Sequence, residues 1–102
     1  MKKFLSNAFS IQMLTSFPVT VNISEVTSKD IPTDVVSCIG HADTANVLTN
    51  MLSFDVPCNR QNVTVDADTE LYVAQVVGGR LPEGATTLPE GYTIKFFKVE
   101  IE

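Results

Sequence analysis

Val19, Val21 and Ile23 alternate with Thr20, Asn22 and Ser24, and the β-branched bias of this run predicts a half-buried strand between Pro18 and Val26. Glu70-Leu71-Tyr72-Val73-Ala74-Gln75-Val76-Val77 is almost continuously apolar, which predicts a central strand covered on both faces. From Tyr92 to Ile101 a last strand is expected. Neither of its faces is clearly polar, a pattern that fits burial beneath helices or in a subunit interface. Shorter strands are expected over Lys3 to Ser6 and over Gln61 to Val65, where apolar and polar positions again alternate.

Helical spacing shows in two other places. Val47, Leu48, Met51 and Leu52 recur on one face of Asp43 to Leu52, which predicts a helix with His41 near its N-terminal end. Pro32-Thr33-Asp34 offers a second helix start, with Val35, Val36 and Ile39 as its apolar face and Gly40 as its stop. Ser10 is a candidate N-cap for a helix-like stretch over Ile11 to Leu14. Gly78 to Gly84 and Pro89-Glu90-Gly91 have loop chemistry, with glycines for freedom and prolines as punctuation. Strands interleaved with helices imply an α/β fold: one domain over residues 1–102, with a mixed sheet of about five strands flanked by short helices.

Composition agrees with one folded domain. The 102 residues can bury a single core, and 44% apolar with 19% charged is the balance of an ordinary globular chain. The basic start Met1-Lys2-Lys3 resembles the opening of a signal peptide, but Asn7, Ser10 and Gln12 interrupt the apolar run that must follow. No run of about 18 apolar residues is present either, so the expectation is a protein that spans no membrane and works where it is made. Cys38 and Cys58 are then expected to be free thiols. A formal net charge of −5 speaks against binding duplex nucleic acid, which relies on clustered Lys and Arg. A small polyanionic ligand remains compatible, provided that the few cations, Arg60 and Arg80 among them, are concentrated locally.

One histidine, His41, is available for proton transfer. A lone histidine is more often structural, but this one sits where free N–H groups and the positive end of a helix dipole favour an anion. A phosphate held there lies beside an imidazole, a side chain suited to general acid–base chemistry. His41, Cys38 and Cys58 do not form a zinc spacing, and neither a nucleophile elbow nor a phosphate loop of the Gly-x-x-x-x-Gly-Lys type occurs. Arg80 has a plain reading as a solvated loop residue paired with Glu83, and Arg60 has a similar one. Gln75 is a polar group in an apolar strand, where a partner is expected, either another backbone group or a ligand.

Several fragments, taken in order, resemble the viral anti-CRISPR ring nucleases. Leu5-Ser6-Asn7-Ala8-Phe9-Ser10-Ile11-Gln12-Met13-Leu14 is similar to that family's opening strand and turn, and Ser37-Cys38-Ile39-Gly40-His41-Ala42-Asp43-Thr44 carries its Ile-Gly-His-x-x-Thr pattern. Asn59-Arg60, Leu71-Tyr72-Val73-Ala74-Gln75, Arg80-Leu81-x-Glu83-Gly84 and Phe96-Phe97 follow in the same order. The chain departs from many relatives after Gly84, where a longer helical stretch is reduced to Ala85 to Gly91.

The resemblance implies a two-fold homodimer that binds cyclic tetra-adenylate across its interface and opens it in the cytoplasm of a prokaryotic host, switching off type III CRISPR signalling. It implies no cofactor and no metal, because the substrate's own ribose 2′-hydroxyl is the nucleophile. His41 carries over as the general acid, Arg80 as the phosphate clamp and Glu83 as support for the catalytic arrangement. Asn7, Ser10, Thr44, Arg60 and Gln75 match ligand-binding or ligand-orienting positions, and the loop from Gly78 to about Pro89 matches a lid. Two other readings stay open: a dimer that sequesters a cyclic nucleotide without turnover, and a partner-binding protein whose last strand is only an interface.

Overall fold

The computed structural model describes residues 2–102. Five strands form one mixed sheet: β1 (Lys2–Ser6), β2 (Val21–Val26), β3 (Val36–Ser37), β4 (Thr69–Val77) and β5 (Thr93–Ile101), in the order β2-β5-β4-β1-β3. β1 is flanked by parallel partners, β3 through Phe4↔Val36 and β4 through Phe4↔Leu71. β5 runs antiparallel to β4, with Val73 opposite Phe97, and to β2, with Ile23 opposite Val99. The apolar run at 70–77 thus becomes the middle strand of the five, as expected.

One helix, α1 (Ala42–Leu52), crosses from β3 to β4 over one face of the sheet. Its buried Ala45, Val47 and Leu48 pack in one cluster with Leu5, Tyr72, Ala74, Ile94 and Phe96, all of which point from the strands to that face. The helix ends at Ser53, in the left-handed region at φ 64°, whose N–H donates to the Thr49 carbonyl at 3.1 Å. Thr49 then secures the exit: its hydroxyl accepts the Val56 N–H at 2.9 Å and donates to the Val56 carbonyl at 3.1 Å.

The opposite face is covered in part. Leu71, Val73 and Val99 pack with Val63 and Val65, with Met13 of the short 3-10 turn Ile11–Met13, and with Leu14, which follows that turn. Ser10 caps that turn, its hydroxyl accepting the Gln12 N–H at 3.2 Å.

Three expectations are corrected. The stretch from Pro32 to Ile39 is not helical: it delivers the two-residue strand β3, and Cys38 N–H donates to the Leu5 carbonyl at 2.7 Å. Three apolar side chains within five residues fit either period, and pairing with the open edge of β1 decided the outcome. Gln61 to Val65 adds no strand and makes only a bridge between Val65 and Leu14. The strand at 21–26 is an edge strand exposed over most of its length, not half-buried, and Ile23 remains 53% exposed. Five strands are nevertheless present, because β3 takes the place of the segment at 61–65. Cys38 and Cys58 are free thiols. Among the described residues no helix is long and apolar enough to cross a membrane.

Candidate functional site

Three parallel strands end side by side, and each hands its chain to a residue at one cavity. Asn7 follows β1, His41 lies four residues beyond β3, and Gly79 and Arg80 follow β4. In open α/β sheets the crevice at the carboxyl ends of parallel strands is the usual place for a ligand. Here it measures about 340 Å³ and is lined by Asn7, His41, Thr44, Gln75 and Arg80, together with Asp43.

The connection that presents His41 is held firmly. Ser37 donates its hydroxyl to the Pro57 carbonyl at 2.6 Å and accepts the Ile39 N–H at 3.3 Å. Asn59 donates its side-chain amide to the Ser37 carbonyl and its backbone N–H to the Ile39 carbonyl, each at 2.8 Å. His41 itself is the N-cap residue of α1: its carbonyl accepts the Ala45 N–H at 3.0 Å, while its imidazole does not cap the helix. The ring is exposed and free to meet a ligand beside the first-turn N–H groups.

A second groove, of about 390 Å³, lies on the other side of His41 and Asn7. Arg60, Gln61, Asn62 and Cys38 line it. The Arg60 stem lies across Gly40, where a Cβ would stand 3.4 Å from Arg60 Cγ. Gly40 therefore provides a flat floor for Arg60; it is not the helix stop expected from the sequence. Burial pushes the Cys38 thiol above its ordinary pKa, opposed by the Gln61 amide that donates to its sulfur at 3.3 Å.

Two of the expected residues lie apart. Ser10 is occupied as the cap of the 3-10 turn and lines neither space. Glu83 is exposed on the loop after Arg80, also outside both, and among the described residues no ion pair joins it to Arg80. Gln75 needs no internal partner, because its position on β4 is exposed. Two residues that sequence reasoning passed over belong to the site. Asp43 lines the cavity and accepts the Gly84 N–H at 2.9 Å, and Tyr92 donates its hydroxyl to the Arg80 carbonyl at 3.0 Å. An acid in the first turn of a helix is common for dipole reasons alone, so Asp43 gave no separate signal. Among the described residues no group of three His, Cys, Asp or Glu is arranged to hold a metal.

Fold and site together define a small single-domain α/β protein with a polar, open crevice at the ends of its parallel strands. Residues 3–96 match the model of the STIV B116-like family, and the chain belongs to that family, which takes its name from a viral protein. Among solved structures it is similar to B116 of Sulfolobus turreted icosahedral virus, at 27% identity and a TM-score of 0.81, over 98% of this chain and 99% of that one. Comparison with curated proteins gave no match.

Proposed function

We propose that this protein is a metal-independent ring nuclease that opens cyclic tetra-adenylate and so silences type III CRISPR signalling. The observation that carries the reading is the convergence of Asn7, His41, Thr44, Gln75 and Arg80 on one cavity at the start of α1, with Arg60 across His41 in the adjoining groove. An acidic chain thereby has one arginine in each of the two spaces that its only histidine lines at the start of a helix.

In the reaction, the ribose 2′-hydroxyl gives up its proton to solvent water and attacks the adjacent phosphorus, and a 2′,3′-cyclic phosphate forms as the bond to the 5′-oxygen breaks. Arg80 stabilises charge on the phosphoryl oxygens, and His41 gives the departing oxygen its proton. Asn7, Thr44 and Gln75 hold the flanking nucleoside so that nucleophile and leaving group stay in line. Arg60 extends the contact surface from the adjoining groove, and Ser10 and Glu83, outside both spaces, meet the parts of the ring that reach beyond them.

A cavity of about 340 Å³ is at the small end of the range for ligand sites, about 300–1,000 Å³, and suits one phosphodiester with its nucleoside better than a ring of four. Two copies therefore share one ring. The sheet face away from α1 favours the same arrangement: Ile23 and Phe97, beside the buried Val73 and Val99, line an apolar groove that adjoins the site through Asn7 and Gln75.

The test is incubation with cyclic tetra-adenylate and, separately, cyclic hexa-adenylate in excess chelator, followed by separation of products. Linear di-adenylate with cyclic phosphate ends is expected. Tight binding without product would identify a sequestering dimer, and activity that returns only with a divalent ion would overturn the mechanism.

A further inference from the structure

The segment from Gly78 to Gly91 has little regular structure of its own, yet it lies along α1. Gly78, at φ 118°, closes its neck: a Cβ there would stand 2.8 Å from the Gly91 carbonyl oxygen. Leu81, Ala85 and Leu88 pack into the core cluster that includes Val47. Two polar side chains of α1 on either side of Val47 complete the docking. Asp43 accepts the Gly84 N–H, and Asn50, seven residues later and so on the same face, donates to the Thr86 carbonyl.

Asp43 is the unexpected member of this set. A carboxylate on the wall of an anion site opposes the ligand it faces. Here one of its oxygens is engaged by the peptide that joins Glu83 to Gly84, four residues from Arg80 in a loop where Gly79 and Gly84 both have positive φ. Such a loop has many other conformations available, and ordering it requires a fixed contact. The Tyr92 hydroxyl on the Arg80 carbonyl supplies one such contact, and the Asp43 carboxylate on Gly84 supplies the other.

Resting on the ring nuclease reading, we propose that Asp43 is a positioning residue: by accepting the Gly84 N–H it latches the Arg80–Gly84 loop to the first turn of α1 and holds Arg80 at the cavity that His41 also lines. Asp43 touches no reacting atom in this role. It sets the geometry of the loop that carries Arg80 and Glu83, and its bond gives an acid a role beside an anion site.

Asp43→Ala removes the acceptor, whereas Asp43→Asn keeps an acceptor oxygen and removes the charge. Amide hydrogen exchange, read at Gly84 with Leu48 and Val73 as core references, reports the latch without any substrate. In Asp43→Ala, Gly84 exchange is expected to rise on the order of tenfold with the core amides unchanged. The single-turnover cleavage rate should fall by about the same factor while ring affinity falls less, since a misplaced Arg80 loses more in the transition state than in the ground state. Asp43→Asn should restore both exchange protection and most of the rate. Unchanged Gly84 exchange in Asp43→Ala overturns the latch, and so does an equal loss in both variants, which would assign the effect to charge. If the unmodified protein leaves the ring intact, the proposed reaction fails, while Gly84 exchange still decides the latch.

Discussion

On the proposed mechanism, removing the His41 imidazole would separate proton transfer from binding. His41→Ala is expected to slow single-turnover cleavage by about 10²–10⁴-fold, the usual contribution of a general acid, with ring affinity largely kept. Arg80→Ala should weaken both, because a charge-assisted phosphate contact acts before and during the reaction. Dissociation constants and single-turnover rates for the two variants check this directly. If rate in His41→Ala falls only in proportion to binding, the residue is a ligand contact and not an acid. The cysteines give an independent check on the structure: exposed Cys58 should be alkylated promptly, and Cys38, 5% exposed with its thiol pushed up by burial, far more slowly. Mass spectrometry after timed alkylation reads both. At this scale the sequence was informative where a residue type is scarce. The single histidine and the two arginines drew attention by rarity, while Asp43 and Tyr92, whose roles depend on one bond each to a distant backbone group, had no pattern to betray them.

Among the elements, the exit of α1 depends on one hydroxyl. Thr49→Val would leave the buried Val56 N–H without its partner, at a cost of roughly 1–3 kcal/mol, seen as a lower midpoint in urea without a change in slope. The turn before β4 carries a pH dependence. Asp66 has its carboxyl held below the ordinary value by the Asp68 N–H and then by the Thr69 hydroxyl. A depressed carboxyl stabilises the fold above the unfolded-chain pKa, and that contribution is lost as pH falls through the folded value. Stability should therefore decline on acidification below the usual carboxylate range, and Asp66→Asn should flatten that part of the curve. The elements also divide by how much of their cause is local. α1 and β4 carry their own periodicity over nine residues or more and were legible within one or two positions. β3 was not, because two residues become a strand only when β1 offers a free edge. The same competition left Gln61 to Val65 without a ladder despite its alternation, since its apolar residues pack onto the sheet face instead of pairing with an edge.

For the whole molecule, the sequence left open whether the apolar last strand would be covered by helices or by another subunit. The structure leaves Phe97 partly exposed in a groove with Ile23 that α1 does not reach, while Val99 beside it is already buried. A second copy there would complete a two-site assembly, and sedimentation or light scattering should give a dimer. Ile23→Asp, at an exposed edge position, should yield a folded monomer with weakened ring binding; a dimer that persists would move the interface elsewhere. The start of α1 has a further consequence. Its N-cap residue contributes no capping side chain, so the free protein lacks a contact worth about 1 kcal/mol to a helix. A bound phosphate would take the place of that cap. Ligand occupancy and folding are then thermodynamically linked: the melting temperature should climb with ring concentration, and phosphate-free adenosine should produce no such rise. On the proposed ring nuclease reading, the protein would be most durable while its ligand is bound.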